Sequence, residues 1–244
     1  METGLPCTLC PLRRQRGFKP LDEPTLAALQ SLKRGEVTVP AGSTILSEGE
    51  TSCRLYTLLS GWAFRHKSLP DGRRQIMNIL LPGDLVGLQG ELMAAPAHGV
   101  EAMTEARLCV FGRSSLWDVF RSRPELGYDV TWLAAREERL LDEALLSVGR
   151  RNALERIAMV LVYLFRRAAA VGLERDGTVP FPLTQTHLAD LMGLSPVHVN
   201  RTLQALRKRQ LIRLHEGRLG IGNLTALRRV AEYWEQPAAQ RPLL

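Results

Sequence analysis

The feature that most constrains this chain is the stretch THLADLMGLSPVHVNRTLQALRK, from Thr186 to Lys208. Its apolar residues recur at steps of three to five, the spacing that buries one face of a helix. The run breaks at Met192–Leu194, which contains a glycine. It restarts at Ser195 and Pro196, a favoured N-cap followed by proline at the first helical position. The sequence therefore predicts two short helices joined by a tight turn, a helix-turn-helix.

The second predicted helix, about residues 195–208, has two chemically different faces. Helical periodicity turns Val199, Leu203 and Leu206 inward, together with Thr202. The opposite stripe carries arginine, asparagine and glutamine, whose donors and acceptors match guanine and adenine edges in the major groove. The residues predicted to contact DNA are Ser195, Val197, His198, Asn200, Arg201, Gln204, Lys208 and, beyond the helix, Arg218.

The segment after this helix, LIRLHEGRLGIGN, is typical of two short strands joined at Glu216 and Gly217, a wing. Five basic residues cluster in and before it: Arg207, Lys208, Arg209, Arg213 and Arg218. Such charges neutralise phosphates and position a recognition helix. The formal net charge of +7 also indicates an anionic partner without identifying it. The alternative is a generic helical hairpin with a solvated basic face, but turn, cap, wing and polar stripe together favour double-stranded DNA as the partner.

The first half of the chain has a different pattern. A short helix is predicted from Leu21 to Lys33, and from Val37 to about Phe111 short extended runs alternate with turn residues. The runs are VTV, TIL, LYTLLSG, WAFRHKS, QIMNILL, DLVGL and ARLCVF. Several strands at near ten-residue spacing predict a sandwich or jelly-roll barrel.

From about Leu126 to Ser147 the period switches to that of a long helix, with a heptad pattern in steps of four and three. The residues predicted to form a two-stranded dimer seam are Leu126, Val130, Leu133 and Leu140. Glu137 falls on the same stripe, or at its edge with Arg136 or Arg139 as its partner. The alternative is a helix packed on its own domain, and the pattern alone leaves both open.

These patterns divide the chain into four predicted segments. They are an N-terminal cysteine-containing arm (1–20), a β-strand domain of sandwich or jelly-roll type (21–121), a long helix (122–150) and a winged helix-turn-helix domain (151–244). The fold class is α+β. The sequence contains no uninterrupted apolar run long enough to span a membrane and no signal-peptide pattern, so a cytoplasmic protein with no membrane partner is expected.

The chain resembles the CRP/FNR family of bacterial transcription regulators over almost its whole length. The matching residues are Gly42, the LYTLLSG run ending at Gly61, Pro82-Gly83-Asp84, the long helix and LTQTHLADLMGLSPVHVNRTL. The resemblance implies that 21–121 is a cyclic-nucleotide-binding-type β-roll sensor domain and that 122–150 is a dimerisation helix. It also implies a homodimer on a near-palindromic operator and contact with RNA polymerase. It places Arg201 where the family keeps a guanine-reading arginine. Val197 replaces the family's acidic reader, so the usual half-site is in question.

Four cysteines bear on the signal that such a regulator would sense: Cys7, Cys10, Cys53 and Cys109. Cys7 and Cys10 form a CxxC, a spacing at which two thiolates can share a metal centre. By the resemblance, Cys10 and Cys109 match ligand positions of the iron–sulfur proteins of the FNR branch, whereas Arg16 occupies the third. Cys53 would complete a set of four only if its loop came close. An iron–sulfur cluster, a Cys7–Cys10 disulfide switch, inert thiols and a ligand-free regulator of the FixK type all remain open.

Two further functions are disfavoured by the sequence. No Lys or Arg lies between Arg74 and Arg107, and the family's phosphate-binding positions hold His98 and Gly99, so cAMP binding is not expected. The CxxC lies before any predicted strand, without the βαβ setting of a thiol oxidoreductase, and no nucleophile elbow, phosphate loop or paired-carboxylate motif occurs. The chain is therefore not expected to be an enzyme.

Overall fold

A computed structural model describes residues 4–51, 54–112, 115–233 and 240–244, apart from the side chains of Ser115 and Ser122. The chain forms two compact units. The first contains the described residues up to Lys67, those from Ile79 to Arg139, and the short segment 240–244. The second contains Ser68–Asn78 and the described residues from Leu140 to Tyr233. No helix in these described ranges is both long and apolar enough to cross a membrane.

Two four-stranded sheets form the predicted jelly roll. One has the order β1-β8-β3-β6 and the other β2-β7-β4-β5. The strands are β1 Lys33–Val39, β2 Thr44–Leu46, β3 Leu55–Ser60, β4 Ala63–Ser68, β5 Arg74–Leu80, β6 Leu85–Val86, β7 Gly99–Ala102 and β8 Ala106–Phe111. Inward-facing residues such as Leu46, Leu58 and Leu108 pack into one apolar cluster, because alternate side chains of each strand point to the same face. The α+β fold class is confirmed.

Helices flank the strands of the first unit. Helix α1, Glu23–Leu32, begins where the Asp22 carboxylate accepts a hydrogen bond from the backbone N–H of Thr25 at 2.8 Å. A six-residue helix, α2, Leu88–Met93, and the strand β7 were absent from the sequence prediction. Strand β7 is short and begins with glycine, a weak strand former, but it is held between β2 and β4 by pairing on both sides.

Two helices lead from the strands towards the second half of the chain: α3, Ser115–Ser122, and α4, Pro124–Arg150. The predicted long helix is therefore confirmed, extending two residues before and three beyond the 126–147 pattern. Helix α5, Ala153–Ala170, follows with a capping box in which Asn152 and Glu155 exchange side-chain and backbone hydrogen bonds.

Three of the four predicted dimer-seam residues lie on the inward, buried stripe of α4. Leu126, Val130 and Leu133 are only 1%, 3% and 4% exposed in the single chain. Leu126 packs with Leu29 and Val119, and Val130 packs in a cluster that includes Phe111. A side chain buried in its own chain offers little surface to a second copy, so these three residues favour the alternative in which this part of α4 packs on its own domain, and the seam stays a prediction. Leu140 is half-buried.

The second unit contains the predicted helix-turn-helix and wing. Its remaining elements are β9 Thr178–Pro180, α6 Gln185–Met192, α7 Pro196–Lys208, β10 Ile212–His215, β11 Arg218–Ile221 and α8 Leu224–Val230. The three strands form an antiparallel sheet of order β10-β11-β9. Ile157, Leu161 and Leu164 of α5 are fully buried and supply much of the core against which the smaller helices lie.

Candidate nucleic-acid interface and cysteine pocket

The turn between α6 and α7 is built by local chemistry. Gly193 ends α6 with φ +62° and ψ +43°, a left-handed conformation that glycine adopts at little cost. Ser195 then caps α7, its hydroxyl accepting a hydrogen bond from the N–H of His198 at 3.3 Å, and Pro196 is the first helical residue. Helix α6 begins at a matching cap, Thr184. Gly193, Ser195 and Pro196 thus form the turn between the two helices, as the sequence predicted.

The two faces of α7 are separated as predicted. Val199, Thr202, Leu203 and Leu206 are buried. The outward predicted residues are all exposed: Ser195, Val197, His198, Asn200, Arg201, Gln204 and Lys208. The Gln204 amide nitrogen donates to the Asn200 side-chain oxygen at 3.4 Å, so these two outward amides support one another. The helix thus presents a polar stripe with one exposed valine, Val197 at 61%.

The wing also forms where predicted. Strands β10 and β11 pair through the register Ile212↔Ile221 to His215↔Arg218, and the turn residues Glu216 and Gly217 have φ +46° and +68°. Two consecutive positive φ angles are the mark of the tight hairpin turn whose twist matches that of its strands.

Arg218 is placed differently from the prediction. Its guanidinium donates to the hydroxyl of Thr178 at 2.8 Å and to the carbonyl of the same residue at 3.0 Å. A side chain that ties β11 to β9 in this way serves the wing's own architecture. Arg218 is half-buried, and its contact with DNA stays a prediction. Lys208, Arg209 and Arg213 are exposed.

A second site lies in the first unit, where three cysteines meet. Cys7, Cys10 and Cys109 line one largely apolar pocket together with Lys33 and Glu36. The arm that carries Cys7 is held on α1 and β1. The Cys7 N–H donates to the Gln30 side-chain oxygen at 2.7 Å, and the Lys33 ammonium donates to the Leu5 carbonyl at 2.6 Å. The structure therefore brings together residues about a hundred positions apart in the sequence.

Burial dominates the electrostatics of this pocket. It raises the pKa of the Cys109 thiol to about 12, against the opposing field of the Lys33 ammonium, and it raises the pKa of Cys7 in the same way. Both thiols are therefore protonated at neutral pH, and a protonated thiol is a poor nucleophile and a poor metal ligand. Binding of a metal there would require proton release.

A buried ion pair stands beside the thiols, and the sequence reasoning did not identify it. The Lys33 ammonium lies 2.6 Å from the Glu36 carboxylate, and both side chains are 4% exposed. Burial acts to raise the pKa of Glu36, but hydrogen bonds and charges from Lys33 and Arg107 outweigh it and lower that pKa overall. The Lys33–Glu36 spacing in KRGE resembles any exposed pair, so nothing local signals its burial.

The described residues do not form a ready iron–sulfur site. Among them, no three or more Cys, His, Asp or Glu side chains are grouped closely enough to hold a metal ion. The predicted ligand Cys53 lies outside the described residues. Arg16, at the third position of the FNR-type pattern, is exposed, and its guanidinium is not a ligand for iron. The arrangement as it stands is three thiols around a shared apolar pocket.

The positions expected to hold a cyclic-nucleotide phosphate carry a buried histidine and a glycine. His98 is 8% exposed, and its Nδ1 lies 3.1 Å from the Gln89 side-chain oxygen. Burial first, and then the charges of Arg65 and other neighbours, lower the pKa of His98 to about 4. A neutral imidazole in this position offers no cation to a phosphate, and the expectation that cAMP does not bind stays a prediction.

Comparisons with known proteins agree with this architecture. Residues 155–230 match the Crp-like helix-turn-helix domain, and residues 36–123 match the cyclic nucleotide-binding domain. The chain is 32% identical over 211 residues to the transcriptional activator protein FnrL of Cereibacter sphaeroides, covering 85% of this chain and 84% of that protein. It is 30% identical over 215 residues to the nitrogen fixation regulation protein FixK of Bradyrhizobium diazoefficiens, covering 88% and 89%. The structure of FixK2 from Bradyrhizobium japonicum matches with a TM-score of 0.72 at 26% identity, over 80% of this chain and 96% of that one.

Proposed function

The chain belongs to the CRP/FNR family of bacterial transcription regulators, and from this premise we propose that it acts as a homodimer on a near-palindromic operator. The observation that carries the proposal is the exposed stripe of α7, in which Asn200, Arg201 and Gln204 stand clear of the buried face. A dimer would place two such helices in successive major grooves, one helical turn apart. Transcription would be regulated through contact with RNA polymerase, for which family membership is the support.

The proposed dimer surface is the stripe of α4 next to the buried one. Advancing the heptad by one residue gives positions that follow one another at steps of three and four: Thr131, Ala134, Glu138, Leu141, Leu145 and Val148. Leu145 is 75% exposed and Val148 is 36% exposed, and the two lie three residues apart on this stripe. Exposed apolar side chains at heptad spacing on a 27-residue helix support a two-stranded seam.

The test begins with selection of operator sequences from a random duplex pool by the full-length protein, followed by fluorescence anisotropy. We expect Arg201→Ala to weaken binding by about 1–3 kcal/mol and to relax one base position in each half-site, because a bidentate contact to guanine is lost. Arg175→Ala is the matched control, since it removes the same charge from an exposed turn outside α7. Unchanged affinity and base preference in Arg201→Ala would remove this residue from the reading surface.

Thiol-based redox sensing is the second function proposed, and the convergence of Cys7, Cys10 and Cys109 on one pocket supports it. Anaerobic purification with iron and sulfide analysis separates the two forms of this proposal. Stoichiometric iron and sulfide, lost in Cys7→Ser, would establish a cluster that the described residues must rearrange to hold. Iron-free protein whose DNA binding responds reversibly to a disulfide-forming oxidant would establish a thiol switch. DNA binding that is identical with and without air would contradict both.

A further inference from the structure

The segment Gln240–Leu244 lies against the first unit, although the sequence ranges assigned it to the winged-helix domain. Its backbone pairs in parallel with the arm at Phe18. The N–H of Lys19 donates to the carbonyl of Arg241 at 2.8 Å, and the N–H of Arg241 donates to the carbonyl of Gly17 at 3.0 Å. The arm that carries the CxxC and the segment 240–244 therefore hold one another through their main chains.

Arg241 anchors the segment with a buried cation. The residue is 7% exposed, and its guanidinium lies 4.5 Å from the centre of the Phe18 ring. It donates to the carboxylate of Asp84, itself 2% exposed, and to the carbonyl of Pro82. A buried guanidinium is tolerated when a carboxylate and carbonyls receive its donors, and the aromatic face adds a cation–π contact.

The turn beneath Arg241 is shaped to admit it. Gly83 has φ +86°, and a Cβ at this position would lie 2.2 Å from the Phe18 ring and 3.0 Å from the Arg241 guanidinium. Any other residue would push both side chains out. In the Pro82-Gly83-Asp84 turn, Gly83 leaves space for the guanidinium, and Pro82 and Asp84 accept its hydrogen bonds through a carbonyl and a carboxylate.

The leucines that follow reach the cysteine pocket. Leu243 is 6% exposed, and Leu243 and Leu244 line the pocket that Cys7, Cys10 and Cys109 share. Leu244 packs against the cluster of Leu55, Cys109 and Phe111, and its carbonyl accepts a hydrogen bond from the hydroxyl of Thr57. The segment therefore covers the thiols with apolar side chains.

We propose that the first unit carries a peptide-binding groove whose occupant is the chain's own segment 240–244. The groove recognises an arginine followed, after one residue, by a leucine pair. Asp84, Pro82 and Phe18 receive the arginine, and the cysteine pocket receives the leucines. Seated there, the segment holds the CxxC arm and shields Cys109, so that access to the Cys109 thiol requires the segment to leave.

Release of the segment would also change the hydrogen bonding of the long helix α4. Asp84 accepts a hydrogen bond from Arg136 of α4 at 3.3 Å as well as from Arg241. The neighbouring Glu137 of α4 pairs with Arg65 at 3.4 Å. The Asp84 carboxylate thus connects the segment to α4, the helix that carries the proposed dimer stripe. Access to the Cys109 thiol and the position of α4 are therefore linked through this carboxylate.

The experiment measures alkylation of reduced full-length protein by N-ethylmaleimide at neutral pH, with each cysteine quantified by mass spectrometry. We expect Arg241→Ala and Leu243→Asp to raise the alkylation rate of Cys109 at least tenfold. Gln240→Ala is the control in the same segment, since Gln240 is exposed and makes only a peripheral bond to the Arg16 carbonyl among those described. An unchanged Cys109 rate in both variants, with native near-ultraviolet circular dichroism, would overturn the proposal.

Hydrogen exchange on the unsubstituted protein provides a test that does not depend on whether the variants fold. The Lys19 N–H bonds to the Arg241 carbonyl and the Arg241 N–H bonds to the Gly17 carbonyl, so we expect both amides to be protected and to open with the same rate constant. Addition of a synthetic peptide covering residues 240–244 to folded Leu243→Asp protein should restore protection of Cys109. Free exchange at Arg241 in the unsubstituted protein, or failure of millimolar peptide to slow alkylation, would contradict a peptide-binding groove.

Discussion

A charge placed on either stripe of α4 would distinguish its buried face from its proposed dimer face. Leu133 is 4% exposed and Leu145 is 75% exposed, so the same substitution to aspartate meets opposite surroundings. Leu133→Asp removes a buried leucine, which costs about 2–5 kcal/mol, and leaves an unpaired carboxylate in an apolar core, which adds to that cost. Because domains are stable by only about 5–15 kcal/mol, we expect the first unit to lose most of its stability.

Leu145→Asp should leave folding almost unchanged, since exposed substitutions shift stability by about 0.5 kcal/mol or less. If Leu145 lies in the seam, each copy loses about 1.5–3 kcal/mol of apolar burial on association. Two copies then lose about 3–6 kcal/mol, which raises the dimer dissociation constant by at least about a hundredfold. Met93→Asp is the matched control, because Met93 is 71% exposed on α2.

The assay pairs thermal unfolding with sedimentation equilibrium for the three variants. The expected pattern is a destabilised Leu133→Asp protein, a monomeric but fully folded Leu145→Asp protein, and an unaltered Met93→Asp protein. If Leu133→Asp gives folded monomers with an unshifted melting temperature, the dimer seam is the stripe of Leu133 that the sequence predicted. An intact dimer in Leu145→Asp would refute the proposed dimer stripe of α4 that includes Leu145.

Three further outcomes are expected. The pKa of His98 falls from 6.5 in the unfolded chain to about 4 in the folded protein, so neutral His98 stabilises the fold above pH 6.5. This stabilisation is lost as the pH falls towards 4, by up to about 3 kcal/mol in the free energy of unfolding. Denaturant unfolding of His98→Asn should show a smaller loss of stability between these pH values, and equal losses in the two proteins would contradict the assignment. Gly193→Ala should lower the stability of the second unit by about 1–2 kcal/mol, because φ is +62° at this position. Crowding adds nothing to this cost, since the nearest atom to the new Cβ is 3.5 Å away. An unshifted melting temperature would show that the turn relaxes. Val197→Glu should leave stability unchanged and move the selected operator towards a base pair that offers a cytosine amino group, whereas an unaltered selection would place Val197 away from the bases.

The helix-turn-helix could be predicted because its signals are local. The periodic leucines, the left-handed glycine at Gly193 and the Ser195 cap with Pro196 act on neighbouring residues, so they have the same meaning wherever the segment lies. The exposed stripe of α7 follows from those signals by helical geometry. The seven strands found from alternating runs and turn residues belong to the same class of local information.

The errors fall where the answer depends on distant residues. A heptad on α4 shows that the helix is amphipathic, but it does not show which of two adjacent stripes meets the helix's own domain. Strand residues such as Leu55 and Phe111, which pack around Val130, decided that. Arg218 is predicted to contact phosphate, and the sequence did not indicate that its guanidinium also bonds to a threonine forty residues earlier in the chain.

The sequence by itself determined the element types, the family and the reading helix, because turns, caps and periodic burial are encoded over a few residues. Only the tertiary structure decided that Cys7 and Cys109 share a pocket, and that Arg241 is seated on Phe18 and Asp84. The physical reason is that burial and ion pairing are properties of the surroundings. A lone arginine near the end of a chain carries no sign of the carboxylate that it reaches 157 residues away in sequence.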